Sequence, residues 1–172
     1  PKDFHKWAVV CEHIIRHYTE GWGNGLNMKV TYWEIWNEPD LDLDDSTHKR
    51  CWGGTKAEFF DLFEIAAKHL KSCFPHLKIG GPAMAGDMEW AENFLNALDA
   101  PLDFFSWHSY GSVEDDIVYA NYARERLDEA GFTETETTCN EWNVEAEKKG
   151  SYRHAALTSA AISSAPLRES SS

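Results

Sequence analysis

An apolar, aromatic run that stops abruptly at polar residues is the feature that most constrains the fold. The run from Val30 to Trp36 is rich in strand-forming residues, and it is followed closely by Pro39, which cannot extend a hydrogen-bonded ladder. It is also too short for a helix, so we predict a buried strand. Asn37 and Glu38 follow where parallel α/β folds place their reacting groups. Glu38 is therefore a candidate catalytic acid.

A second strand-like run ends in the same manner. The residues Thr135 to Cys139 lead into Asn140-Glu141-Trp142-Asn143. The chain thus offers two carboxylates, Glu38 and Glu141, at two strand ends. Hydrolysis of a glycosidic bond needs such a pair, one acid to protonate the leaving oxygen and one carboxylate to attack the anomeric carbon or activate water.

The remaining sequence predicts repeated βα units. An amphipathic helix is followed by four strands, each leading into a helix, and the strand starts lie about 25 to 45 residues apart. The further predicted elements are strands at Leu77–Ala83 and Leu102–Tyr110, helices capped by Asp3, Thr55 (with Glu58 in a capping box), Asp87 and Ser112, and a last helix from Tyr152 to about Ser163. Parallel strands put their carboxyl ends on one edge, so Glu38 and Glu141 should face one cleft.

The fold class is therefore α/β with a parallel sheet. Four strands do not close a (β/α)8 TIM barrel, which has eight strands and usually about 250 residues. We expect residues 1–163 to form an incomplete barrel domain, in which the other strands of the barrel would come before and after these four. Residues 164–172 are too polar for another strand, and we expect a disordered or artefactual tail there.

Charge and composition exclude several partners. A net charge of −13 argues against nucleic acid and anionic membranes and favours a neutral, hydroxyl-rich ligand. The sequence contains no apolar run long enough to span a membrane and no signal-peptide layout, so localisation stays open, as does the oligomeric state. The 23 aromatic residues (8 Trp, 6 Tyr and 9 Phe) could stack on sugar rings, but filling of the core is the stronger interpretation.

The sequence predicts no cofactor and no metal. His13 and His17 lie four residues apart on a helix, but no third ligand follows at a suitable spacing. The acidic run from Asp40 to Asp45 lacks the glycine and the glutamate of a calcium-binding loop. The four cysteines show no CxxC spacing, and we expect free thiols.

Five segments in order carry a resemblance to a known family. They are Trp36-Asn37-Glu38-Pro39-Asp40-Leu41, Trp52-Gly53-Gly54-Thr55, Ile79-Gly80-Gly81-Pro82-Ala83, Trp107-His108-Ser109-Tyr110 and Asn140-Glu141-Trp142-Asn143. From about Trp7 to Ala160 the chain resembles glycoside hydrolase family 39, the β-xylosidase and α-L-iduronidase family, in a clan of retaining (β/α)8 glycosidases. The resemblance implies that the four strands are the fourth to the seventh of the barrel.

The resemblance also implies roles for individual residues. Glu38 matches the general acid/base and Glu141 the nucleophile of a double displacement on a β-xylosidic or related bond. Asn37 matches the asparagine that binds the sugar 2-hydroxyl. His108 and Tyr110 match positions that line the cleft, the tyrosine donating to the nucleophile. A carbohydrate is the implied partner.

Several expectations concern the surroundings of this pair. We expect Trp52 and Trp142 to contact substrate, and one of Trp36, Trp107 and Trp142 to do so at least. Strand alternation groups Glu34 with Tyr32 and Trp36, away from the Asn37 side, and we expect Glu34 to be a buried, paired structural carboxylate. Asn140 departs from the family, which more often has a small or threonine-like residue before the nucleophile.

Two alternatives stay open. The chain could be a catalytically inactive carbohydrate-binding or scaffold fragment of a glycosidase barrel, because part of a barrel leaves strand edges unpaired. It could also act on a β-glycoside other than a xyloside, because the fold and the carboxylate pair do not determine the sugar.

Overall fold

The computed structural model describes residues 1–143 of the chain. The elements are α1 (Phe4–Thr19), β1 (Tyr32–Glu34), α2 (Lys56–Cys73), β2 (Lys78–Met84), α3 (Met88–Ala97), β3 (Phe104–Ser109), α4 (Val113–Glu129) and β4 (Glu136–Trp142), with one 3-10 turn at Pro39–Leu41. The predicted helix from Tyr152 and the predicted tail at 164–172 lie outside the described residues.

The four strands form one parallel sheet in the order β1-β2-β3-β4. Each of β1, β2 and β3 is followed in the chain by a helix that returns to the start of the next strand, which is the βα repeat that the sequence predicts. At Gly80 the backbone of β3 comes so close that a Cβ atom would lie 2.1 Å from the Phe104 carbonyl oxygen. The sheet and its helices form part of a (β/α)8 barrel, as expected.

The helix starts confirm the predicted capping. At α2, the Thr55 hydroxyl accepts from the Glu58 amide at 3.2 Å, and the Glu58 carboxylate accepts from the Thr55 amide at 2.8 Å. The side chains of Asp3, Asp87 and Ser112 cap α1, α3 and α4 in the same way, each accepting from an amide three residues on. Local sequence signals therefore decide where each of the described helices begins.

The hydrophobic core lies between the helices and the outer face of the sheet. Phe59, Phe63 and Phe94 are fully buried there, and their rings pack against one another with centroids 4.9 to 6.4 Å apart. Many of the aromatic residues belong to this one cluster, including Trp52 and Trp90, as the core-filling interpretation predicts. Among residues 1–143, no helix is long and apolar enough to cross a membrane.

The opposite face of the sheet, called here the inner face, is polar. It carries Tyr32 and Glu34 from β1, Ser106 from β3, and Glu136 and Asn140 from β4. The Tyr32 hydroxyl donates to Glu136 at 2.8 Å, and a recess of about 440 Å³ runs along this face. The inner face is the side on which strand residues of a complete barrel meet.

Candidate active site

The chain reaches Glu38 through an irregular turn after β1. Regular strand geometry ends at Glu34, earlier than predicted, and both Trp36 (φ +75°) and Glu38 (φ +48°) adopt left-handed backbone conformations. The Glu38 amide donates to the Ala83 carbonyl at 2.8 Å, which fixes this turn to the end of β2. The backbone thereby holds the Glu38 carboxylate above the carboxyl end of the sheet.

The left-handed turn separates Trp36 from Glu34. The ring of Trp36 lies in the helix layer, with centroids 5.7 Å from Trp7 and 5.2 Å from Trp52. The predicted grouping of Trp36 with Glu34 is therefore wrong, because strand alternation stops before Trp36. Glu34 instead lies on the inner face, beside Ser106 and Asn140.

A bulge in β4 places Glu141. Trp107 of β3 pairs with Cys139, but the next residue, His108, pairs with Glu141, so Asn140 is an extra residue in β4. Without this irregularity, alternation would turn Glu141 away from the side chain of His108. With it, the side chains of Asn140 and Glu141 both reach the inner side of the sheet.

His108 lies between the two carboxylates. Its side chain is 2% exposed, with Nδ1 2.7 Å from Oε1 of Glu38 and Nε2 3.7 Å from Oε2 of Glu141. Ligand atoms of these three side chains all lie within 4.8 Å of one another. The structure thus brings together the two acids that the sequence analysis paired, and the same three groups could also hold a divalent cation, which the sequence did not predict.

Tyr110 contacts the second carboxylate. Its hydroxyl donates to Oε1 of Glu141, and the side chain is 49% exposed at the rim. This hydrogen bond, more than burial, raises the pKa of Tyr110 to about 12. The phenol therefore stays protonated at neutral pH and remains a donor to Glu141.

Cys51 is a neighbour of Glu38 that the sequence analysis missed. Its Sγ lies 3.9 Å from Oε2 of Glu38. Burial, followed by the negative charge of Glu38, raises the pKa of this thiol. A neutral thiol therefore faces the oxygen of Glu38 that His108 does not contact.

The Asp42 carboxylate holds the segment that contains Cys51. Its Oδ2 accepts from the backbone amides of Arg50, Cys51 and Trp52 at 2.9, 2.6 and 3.0 Å. These bonds, with that from Trp52 foremost, lower the pKa of Asp42 to about 2. The acidic run, rejected above as a calcium loop, thus binds backbone amides instead.

Asp40 performs a similar task for the turn that carries Glu38. It is buried, and its carboxylate accepts from the amides of Ala85, Gly86 and Asp87 at 2.8, 3.1 and 3.0 Å. Burial raises the pKa of Asp40, while these amides act in the opposite direction. Asp40 ties the turn after Glu38 to the start of α3. The only sequence signal for this role is an aspartate two residues after the candidate acid.

Glu34 is paired, as predicted, but it is not buried among the described residues. Both of its oxygens accept from Nδ2 of Asn140, at 2.9 and 3.0 Å, and Oε1 also accepts from the Ser106 hydroxyl. The prediction of burial is wrong because Glu34 lies on the inner face. Asn140, the departure from the family pattern, holds the Glu34 carboxylate.

The remaining predicted site residues differ in exposure. Asn37 is exposed directly before Glu38, and Trp142 is 38% exposed directly after Glu141. Trp52 is 5% exposed, and its ring packs edge-on against Trp36 and Phe59. Among the three tryptophans weighed as sugar platforms, Trp107 is also buried. The structure therefore leaves Trp142 as the accessible indole beside the pair.

Comparison with known proteins places this chain in a family. Residues 1–160 match Glycosyl hydrolases family 39. The chain belongs to glycoside hydrolase family 39. The β-xylosidase of Geobacillus stearothermophilus is 36% identical over 117 residues, and that of Caldicellulosiruptor saccharolyticus is 33% identical over 112 residues. These alignments cover 65% and 64% of this chain but only 22% of each relative. This family 39 chain thus spans about a fifth of the length of those proteins.

Solved structures share the fold of this chain. A glucosidase from Croceicoccus marinus superposes with a TM-score of 0.77 and 32% identity, covering 92% of this chain and 35% of that one. A family 39 β-xylosidase from Caulobacter crescentus superposes with a TM-score of 0.63 at 23% identity, covering 82% of this chain and 30% of that one. The second likeness bears on the fold alone.

Proposed function

We propose that this chain carries the catalytic pair of a retaining glycosidase that acts on β-xylosides, with Glu38 as acid/base and Glu141 as nucleophile. The observation that carries this proposal is the approach of the two carboxylates around His108, with ligand oxygens within 4.8 Å. Retaining enzymes place their carboxyl groups about 5 to 5.5 Å apart, whereas inverting enzymes leave about 6.5 to 9.5 Å for a water molecule. The β-xylosidases among the relatives support xylose as the sugar.

The first step breaks the glycosidic bond. The carboxyl group of Glu38 transfers its proton to the leaving oxygen while an oxygen of Glu141 bonds to C1 of the sugar. The electron pair of the broken C–O bond stays with the leaving oxygen, and an ester joins the sugar to Glu141. In the second step Glu38 takes a proton from water, whose oxygen attacks C1 and releases Glu141.

His108 and Tyr110 support this division of roles. A neutral imidazole can accept from a protonated Glu38 at Nδ1, 2.7 Å away, while carrying its own proton on Nε2 near Glu141. Tyr110 donates to the other oxygen of Glu141. Both contacts hold the Glu141 carboxylate in place beside Glu38.

Exposed residues around the pair suit a sugar ligand. Asn37, next to Glu38, offers an amide to the 2-hydroxyl, and Trp142, next to Glu141, offers an indole face to the C–H side of the ring. Burial of Trp52 argues for an indirect role, in which it supports the segment that carries Cys51. Xylose contacts are thus expected mainly from the residues adjoining the two acids.

A covalent trap tests the assignment of the nucleophile. An aryl 2-fluoro-β-xyloside with a good leaving group should add the mass of one fluorosugar to the peptide that contains Glu141. The Glu141→Gln variant should stay unlabelled, whereas Glu136→Gln, in the same strand, should label like the unchanged chain. Label on any other carboxylate would overturn the assignment.

The open inner face favours a second candidate, an inactive sugar-binding or scaffold piece. Tyr32 and Glu34, which lie on that face, are exposed among the described residues. Turnover of an aryl β-xyloside by the folded chain, abolished in Glu38→Gln and Glu141→Gln, supports the enzyme. A folded chain that binds xylose without turnover supports the second candidate.

A further inference from the structure

A group of metal-ligating side chains joins α1 to α2, away from the candidate active site. Glu12 lies on α1, and His69 and Cys73 lie one turn apart on α2. Nε2 of His69 is 2.7 Å from Oε2 of Glu12 and 3.8 Å from Sγ of Cys73, and the three atoms all lie within 4.8 Å of one another. All three residues are half-buried.

The separations suit a tetrahedral zinc ion. Bond lengths of about 2.0 to 2.1 Å to nitrogen or oxygen and about 2.3 Å to sulfur imply ligand-to-ligand distances of roughly 3.3 Å for N and O and roughly 3.6 Å for N and S. The observed 2.7 and 3.8 Å differ from these by amounts that small side-chain rotations can absorb. His69 and Cys73 can therefore converge on one ion from the same helix face.

A neighbouring arginine orients the carboxylate. Nε of Arg16 donates to Oε1 of Glu12 at 2.8 Å, which leaves Oε2 directed to His69. The same hydrogen bond is the main reason that the pKa of Glu12 is lowered, so this carboxylate is ionised at neutral pH. A ligand whose second oxygen is held by an outer partner is typical of built metal sites.

We propose that Glu12, His69 and Cys73 bind a thiophilic divalent cation such as Zn²⁺, with water as the fourth ligand. Binding forms one metal bond to each of Oε2, Nε2 and Sγ and releases the thiol proton of Cys73 to solvent, with no change of oxidation state. The ion clamps α1 to α2, the helix pair behind β1. The cluster of His13 and His17 considered from sequence is not a metal-ligand group within the described residues.

Cobalt chloride is the probe, because a thiolate bound to Co²⁺ gives a charge-transfer band in the near ultraviolet. The full chain, stripped with a chelator and dialysed, is titrated with CoCl2. We expect a band that saturates at one equivalent and is displaced by ZnCl2. The band should vanish in Cys73→Ser and should require at least about tenfold more cobalt in His69→Gln.

The other cysteines provide matched controls, because all four are free and half-buried. Cys11→Ser and Cys139→Ser should keep the band. Cys51→Ser should also keep it, and this variant decides whether cobalt binds instead beside Glu38. Absence of the band from the unchanged chain, its persistence in Cys73→Ser, or its loss in Cys51→Ser would each overturn the proposal.

Thermal unfolding gives a readout independent of the spectrum. ZnCl2 should raise the unfolding midpoint of the unchanged chain and of Cys11→Ser, because an ion that binds only the folded state stabilises it. It should raise the midpoint of Cys73→Ser clearly less than that of the unchanged chain, while circular dichroism verifies that this variant is folded. An equal rise in Cys73→Ser would contradict the clamp.

Discussion

At the scale of single residues, the Tyr110 hydroxyl positions the Glu141 carboxylate through a hydrogen bond. Its pKa of about 12 lies above the usual 10, so it donates to Glu141 over the whole pH range of an ordinary assay. A hydrogen bond to a charged group contributes about 1.5 to 3 kcal/mol. The proposed nucleophile therefore depends on Tyr110 for its orientation.

Tyr110→Phe removes this donor and leaves the ring. We expect kcat/KM for an aryl β-xyloside to fall by about 10- to 100-fold, which corresponds to that hydrogen-bond energy. Steady-state kinetics against Tyr18→Phe, an exposed tyrosine on α1, provide the comparison. A fall of less than about threefold would contradict a role for Tyr110 in catalysis.

At the scale of residues, some placements could be predicted from motifs and others could not. The carboxylates of Glu38 and Glu141 follow strand-like runs and could be found by reading the chain. The placement of Asn140 against Glu34 could not be found in this way, because it depends on a bulge that appears only when β3 and β4 pair. The burial of Trp52 was missed for a similar reason, since loop side chains have no periodicity to read.

At the scale of elements, two aspartates hold irregular segments through backbone amides. Asp40 joins the turn after Glu38 to the start of α3, and Asp42 holds the segment that contains Cys51. Strands and helix caps could be predicted because hydrophobic period and capping residues are local. These two carboxylates could not, because their partners lie up to 47 residues away.

The Asp40→Ala variant should be less stable by roughly 1 to 3 kcal/mol, because three amides lose their acceptor. Asp40→Asn should cost less, since it keeps an acceptor and removes a charge that burial disfavours, which is why the pKa of Asp40 is raised. Chemical denaturation measures both. We also expect lower kcat/KM in the alanine variant because the turn carrying Glu38 loosens. Equal stability of the alanine variant and the unchanged chain would refute this role.

Asp42 predicts a dependence of stability on pH. Its pKa is about 2 in the folded chain against 3.8 ordinarily, so its charge stabilises the fold fully above about pH 4, and this contribution is lost as the pH falls through about 2. Asp42→Asn should therefore lower the unfolding midpoint at pH 6, and the deficit should shrink between about pH 4 and pH 2. Asp45→Asn, at an exposed position of the same run, should show neither effect.

At the scale of the whole molecule, two ion pairs differ in their exposure to water. Lys71 bonds Asp103 at 2.9 Å and the Leu77 carbonyl at 2.9 Å, with both charged side chains about one-fifth exposed. Lys78 bonds Glu136 on the inner face at 2.9 Å, with exposures of 37% and 45%. Water screens the second pair more strongly than the first.

Two methionine substitutions compare these pairs. Lys78→Met should change the free energy of unfolding by about 1 kcal/mol or less, as exposed pairs do. Lys71→Met should cost roughly 1 to 3 kcal/mol, because it removes a donor from the Leu77 carbonyl and the charged partner of Asp103 in a part-buried site, leaving Asp103 only the Ile79 amide among the described residues. Urea unfolding of both variants tests the order. A larger loss in Lys78→Met would show that the inner face is shielded from water.

The left-handed conformations at Trp36 and Glu38 fix how many residues may separate β1 from the acid. The turn sends an indole outward and a carboxylate inward within three positions, so adding or deleting one residue there would exchange the two. We therefore expect an alignment of related sequences to show no insertions or deletions between Glu34 and Pro39. Insertions and deletions should occur instead in the segment from Leu43 to Lys49, where an added residue would not change the orientation of the Trp36 and Glu38 side chains.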